Sequence, residues 1–183
     1  MTTKTRSLVT AALFTALLVV FSQITIPLPF SPVPLSLALL AVFLMGGLLP
    51  PKWAGGAALT YLVMGIIGLP VFAGFLAGPG RIFGPTGGYL VAYPIMAFLI
   101  AFGSRKQKHP RFLSMAGWMI LSLVVCYSLG TLWMMAYTGK DAVAVLGLAV
   151  FPFIPLDLCK AAAASAAAVT LRQQLPFFAA NPS

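Results

Sequence analysis

Six long apolar runs, each closed by proline, glycine or basic residues, constrain this chain more than any other feature. They run over about Leu8–Ile26, Leu35–Leu49, Trp53–Leu69, Tyr89–Phe102, Phe112–Tyr137 and Pro155–Leu175. A hydrocarbon core needs about 20 apolar residues of helix to cross it. Unpaired backbone groups are not tolerated there, so only helices or closed barrels span it. The composition agrees: 61% of residues are hydrophobic and 7% charged, against about 25% charged in a soluble domain. Such a chain cannot coat a water-facing surface. The expected fold is an all-α integral membrane protein, a six-transmembrane-helix bundle forming one domain over residues 1–183.

The breaks are as informative as the runs. Pro27, Pro29, Pro32 and Pro34 forbid regular helix after the first run. The second run is short for a span, and Pro50-Pro51 close it. A long glycine-rich connection, Val71–Gly88, joins the third and fourth runs. Ser104–Arg111 is a basic loop, and Val143–Phe153 is an apolar approach to the sixth helix. Lys4 and Arg6 precede the first run in the manner of a signal peptide. That run exceeds a typical signal core and lacks a clear cleavage site, so it is expected to stay as the first helix.

Lysine and arginine set the orientation. With a cytoplasmic amino terminus, the inside segments hold Lys4, Arg6, Lys52, Arg105, Lys106, Lys108, Arg111 and Arg172. The outside segments hold only Arg81 and Lys140, a bias of eight to two. Both termini are therefore expected in the cytoplasm, with the chain in the cytoplasmic (inner) membrane. The net charge of +9 does not indicate nucleic acid, because the basic residues are scattered over short loops and form no patch on a soluble module.

The chain has two acidic residues, Asp141 and Asp157. Asp157 alone sits in an apolar run, and Lys160 follows three residues later on the same helical face. A charged side chain inside a span costs about 2.5–3.5 kcal/mol, so an ionisable residue there reads first as a functional site. The plainer alternative is a local ion pair at a helix start, favoured by the macrodipole. With the sixth helix starting at Pro155, the two residues lie about 3 and 8 Å past its beginning. The expected topology puts that beginning on the outside, together with the proline-rich first loop and the glycine-rich third loop.

Gly84, Gly87 and Gly88 lie in that third loop, where glycine permits close backbone approach to a ligand or to a folded-back loop. The loop is expected to be ordered, since it lacks a disorder-type composition. It lacks the Gly-Lys-Ser/Thr ending of a phosphate loop. Ala12 and Ala16 stand four apart in the first run, a spacing that lets another helix approach, within this chain or from a partner. The alanine-rich sixth run is expected to pack at the centre of the bundle. One histidine and two acids leave no catalytic constellation and no metal site, so no enzyme and no cofactor are expected. The cysteines, Cys126 and Cys159, both lie in apolar runs and imply no disulfide framework.

The run GLPVFAG…GPTGGYL, followed by Asp-x-x-Lys near the start of the last helix, resembles BioY. BioY is the biotin-specific S-component of energy-coupling factor (ECF) transporters. The resemblance covers essentially the whole chain. It implies capture of biotin from outside, in a pocket formed by the outer loops and the last three helices. It also implies a transmembrane coupling subunit and, through it, two cytoplasmic ATPases. The family's helix-six acid and lysine map onto Asp157 and Lys160, and its Ala-xxx-Ala contact with the coupling subunit maps onto Ala12 and Ala16. Biotin offers ureido N–H groups to Asp157, and a ureido carbonyl or carboxylate to Lys160. Backbone N–H groups within Gly84, Thr86, Gly87, Gly88 and Tyr89 are expected to add donors. The chain reads GPGRIF where the family often has another small or polar residue, so Arg81 is either a substitute contact or a solvent-facing residue. The alternatives are an S-component for another vitamin, a membrane enzyme acting on a lipid or vitamin precursor, and a structural scaffold.

Overall fold

The computed structural model describes residues 3–105, 111–175 and 178. Lys106, Lys108 and His109 of the basic loop, and the final residues of the expected domain, lie outside the described residues. In chain order the elements are α1 (Thr3–Gln23), β1 (Thr25–Ile26), β2 (Leu35–Ser36), α2 (Ala38–Leu48) and α3 (Pro51–Ile66). They continue as α4 (Pro79–Ile82), α5 (Gly87–Arg105), α6 (Phe112–Thr138), α7 (Ala142–Ala149) and α8 (Ile154–Gln174). The chain is thus mostly helical. By length and composition four segments can cross a membrane: Lys4–Gln23, Gly87–Arg105, Phe112–Thr138 and Ile154–Gln174. The described residues hold eight helices where six were expected. The two additional ones, α4 and α7, are short and fall in segments read as connections.

The boundaries move for local reasons. The first run does not stay helical to Ile26. Pro27 disfavours helix at the residue before it, and Thr25–Ile26 instead pair antiparallel with Leu35–Ser36. The proline-rich segment is therefore pinned at its base, and α2 starts at Ala38, later than its apolar run. α3 opens with Pro51 in its first turn, where a missing N–H costs nothing. α6 stops at Gly139, which adopts φ 69° and closes the helix with its N–H on the Met135 carbonyl.

The interior is built around α2, which is buried along nearly its whole length and packs on α1, α5 and α8. α5 in turn packs on α3 and α6. α8 does not occupy the centre as its alanines suggested. Its buried stripe is Asp157, Lys160, Ala161, Ala164, Ser165, Ala168 and Arg172, a single face at helical spacing. Ala162, Ala163 and Ala166 on the other face are exposed. Small side chains let this helix approach its neighbours, but its sequence does not say on how many sides.

Candidate functional site

The beginning of α8 borders a cavity with about 410 Å³ of empty space, its open mouth included. Val33, Pro34 and Ser36 reach it from the first connection, and Leu39 from α2. Tyr89 and Tyr93 come from α5, and Cys126 and Tyr127 from α6. Ala149, Phe153, Asp157 and Lys160 complete the wall. Ligand pockets of this kind are mostly apolar, with a few placed polar groups.

Those polar groups form one connected set. Lys160 Nζ lies 2.7 Å from Asp157 Oδ1. The Tyr127 hydroxyl donates to Asp157 Oδ2 at 2.7 Å. Asp157 is 2% exposed and Lys160 6%. A buried ion pair repays its desolvation only with good geometry and further hydrogen bonds, and apolar residues of the same size often serve stability as well. Stability alone therefore does not explain the pair. Its position on a cavity does: Lys160 has further protons to donate, and Asp157 has lone pairs left to accept.

Two aromatic walls are held from behind. Tyr93 stacks on Tyr61 of α3 with ring centroids 6.4 Å apart, and Tyr61 meets Phe72 edge-on at 5.5 Å. Tyr89 rests on α6 at Gly130, where any Cβ would overlap its ring. Phe72 belongs to a tight turn tied to the end of α1. Ser22 Oγ donates to the Val71 carbonyl at 2.6 Å. Gln23 Nε2 donates to the Val71 and Phe72 carbonyls, and Gln23 Oε1 accepts from the Phe75 N–H at 2.8 Å. Phe75 is held there at φ 59°, a left-handed conformation unusual for a bulky residue.

Of the residues expected to meet a ligand, the structure brings Asp157, Lys160 and Tyr89 to one cavity. It does not bring Arg81, Gly84, Thr86, Gly87 or Gly88 to that wall. Two of the backbone donors expected there are already engaged within the chain. The Gly87 N–H goes to the Gly84 carbonyl and the Tyr89 N–H to the Thr86 carbonyl. Gly84 also accepts from Trp133 Nε1 at 3.0 Å. Gly87 and Gly88 are the first residues of α5, and a Cβ on either would strike Ile82 or Trp133. These glycines let α5 approach its neighbours. Arg81 is half-buried in α4.

Ala12 and Ala16 are exposed on α1, beside Val9, Leu13 and Val20. Packing within the chain uses the opposite face, Ala11, Thr15 and Leu18, where Thr15 Oγ1 donates to the Ala57 carbonyl at 3.1 Å. Tyr93, Cys126 and Tyr127 were not among the site residues expected from the sequence. Tyr93 could have been found four residues after Tyr89, on the same face of one helix.

An apolar helical chain with a buried ion pair opening onto an aromatic cavity defines a multi-pass membrane protein built to hold a small polar molecule. The BioY family model matches residues 1–177. The chain belongs to the BioY family. It is 38% identical over 161 residues to a probable biotin transporter BioY of Pyrococcus horikoshii, covering 88% of this chain and 93% of that one. It is 36% identical over 168 residues to a biotin transporter BioY of Thermotoga maritima, covering 92% and 96%. Among solved structures it resembles the S-component for biotin from an ECF-type ABC transporter. The TM-score is 0.90 at 28% identity, over 98% of this chain and 99% of that one.

Proposed function

We propose that this chain is the biotin-binding S-component of an ECF transporter, a transport subunit and not an enzyme. The observation that carries the reading is the Asp157–Lys160 pair, 2.7 Å apart and buried, yet on the wall of a cavity. Asp157 accepts a ureido N–H, and Lys160 donates to the ureido carbonyl or the carboxylate tail. Tyr89, Tyr93 and Phe153 cover the apolar bicycle. Gly84, Thr86, Gly87 and Gly88 act on the ligand through the position they give Tyr89. A site of buried hydrogen-bonding groups rejects ligands that lack the matching groups more strongly than an apolar pocket does.

The same reading takes residues 1–183 as one domain with six spans, α1, α2, α3, α5, α6 and α8. The bias of basic residues supports cytoplasmic termini in the inner membrane. The exposed Ala12–Ala16 stripe docks a transmembrane coupling subunit, which in turn carries two cytoplasmic ATPases. Small residues at this spacing permit close helix approach. Replacing Ala16 by Trp is then expected to abolish co-purification with the coupling subunit while leaving biotin affinity intact.

Calorimetric titration of detergent-purified protein with biotin, thiamine and riboflavin tests the ligand. Saturable binding of biotin alone is expected. Preference for another vitamin, or recovery of chemically altered biotin, would overturn the reading.

A further inference from the structure

Tyr127 is the side chain that ties the Asp157 carboxylate to a different helix. Lys160 reaches Oδ1 from within α8, three residues along. Tyr127 reaches Oδ2 from α6, also at 2.7 Å. The two donors thus approach the carboxylate from two elements and leave it little freedom to turn. Without the hydroxyl, the remaining bond is local to one helix. Asp157 can then rotate with Lys160 into a self-contained ion pair and turn its second oxygen away from the cavity.

We infer that Tyr127 is a positioning and specificity-determining residue: its hydroxyl holds the Asp157 carboxylate so that Oδ2 faces the cavity as an acceptor for a ligand N–H. A carboxylate oxygen has two lone pairs, so Oδ2 accepts from Tyr127 and from the ligand together. Lys160 keeps its remaining protons for a ligand carbonyl next to that N–H. The unit therefore selects ligands that carry an N–H beside a carbonyl, as a cyclic urea or amide does. Asp157, Lys160 and Tyr127 all line the same cavity. This inference rests on the biotin reading above and goes beyond it, because it assigns selectivity to a residue that acts through Asp157.

The test is Tyr127→Phe, which removes the hydroxyl and keeps the ring. Purified wild-type and variant proteins are titrated with biotin and with biotin methylated on its ureido nitrogens, and the melting temperature of each protein is recorded. A hydrogen bond to a charged group typically sets affinity by about 10- to 100-fold. Tyr127→Phe is expected to lose about that factor for biotin while binding of the methylated analogue stays nearly unchanged, so the ratio of the two affinities collapses. A purely structural role would weaken both ligands alike. In an Asp157→Asn background, adding Tyr127→Phe is expected to cost less than about threefold, since contacting groups are not additive. The same cycle run with Tyr127→Leu, which likewise carries no donor, serves if the Phe variant does not fold. An unchanged affinity ratio, or full additivity with Asp157→Asn, overturns the inference. Failure of wild-type protein to bind biotin overturns the biotin reading instead.

Discussion

The two ends of α8 bury charge to the same degree and use it differently. At its beginning Asp157 and Lys160 are 2% and 6% exposed, and near its end Arg172 is 6% exposed. Arg172 donates from Nη1 to the Ser104 carbonyl at 3.2 Å and from Nη2 to the Ser104 hydroxyl at 3.0 Å. It thereby satisfies a carbonyl in the last turn of α5 and pins the two helix ends together. The Asp157–Lys160 pair instead lies against open space with donors and acceptors to spare. Burial of a charge does not by itself mark a site. Arg172 is not fully satisfied either, since its buried Nε finds no partner among the described residues. What separates the two ends is whether the polar group borders a volume that a ligand can fill.

That contrast can be broken by substitution. Lys160→Ala leaves a buried carboxylate without its cation, which in other proteins costs about 3–5 kcal/mol. We expect the largest combined loss here, in melting temperature and in biotin titration. Arg172→Met removes a charged donor from Ser104, worth about 1.5–3 kcal/mol of stability. Its biotin affinity should stay within about twofold, because the site lies at the other end of the helix. If Arg172→Met abolished binding while leaving stability intact, the assignment of roles along α8 would be reversed. Gly130→Ala forces a methyl group into the space of the Tyr89 ring, an overpacking change of about 1–3 kcal/mol. Displacing that wall should weaken biotin by about tenfold, and a wild-type titration curve would show that Tyr89 plays no part. Gln23→Ala should be mildest, at about 1 kcal/mol. It loosens the turn around Phe75, which faster amide exchange at residues 72–76 would report, with little effect on affinity.

Much of this was legible in the residues themselves. Asp157 and Lys160 stood out because the chain has two acidic residues and one of them sits in an apolar run. Length and apolarity placed the long helices, since backbone satisfaction leaves little alternative in a bilayer. Tyr127 was not legible in the same way, because a tyrosine within an apolar run reads equally as core or interface. A buried hydroxyl still needs a partner, and in so acid-poor a chain Asp157 was an available one. Gly87 and Gly88 misled for a complementary reason. Glycine permits close approach by a ligand or by the chain's own helices, and its sequence does not distinguish them. The β1–β2 pairing was hidden because prolines announce only where helix cannot run.

The most direct test of the central claim is a biotin titration of Asp157→Asn beside wild type, with melting curves to establish that both are folded. The substitution keeps the shape and removes the charge that Lys160, Tyr127 and the ligand share. Loss of affinity by about 100-fold or more in a folded variant is the result expected. Unchanged affinity in a folded variant would contradict the account, because the buried pair would then be a structural tie like Arg172.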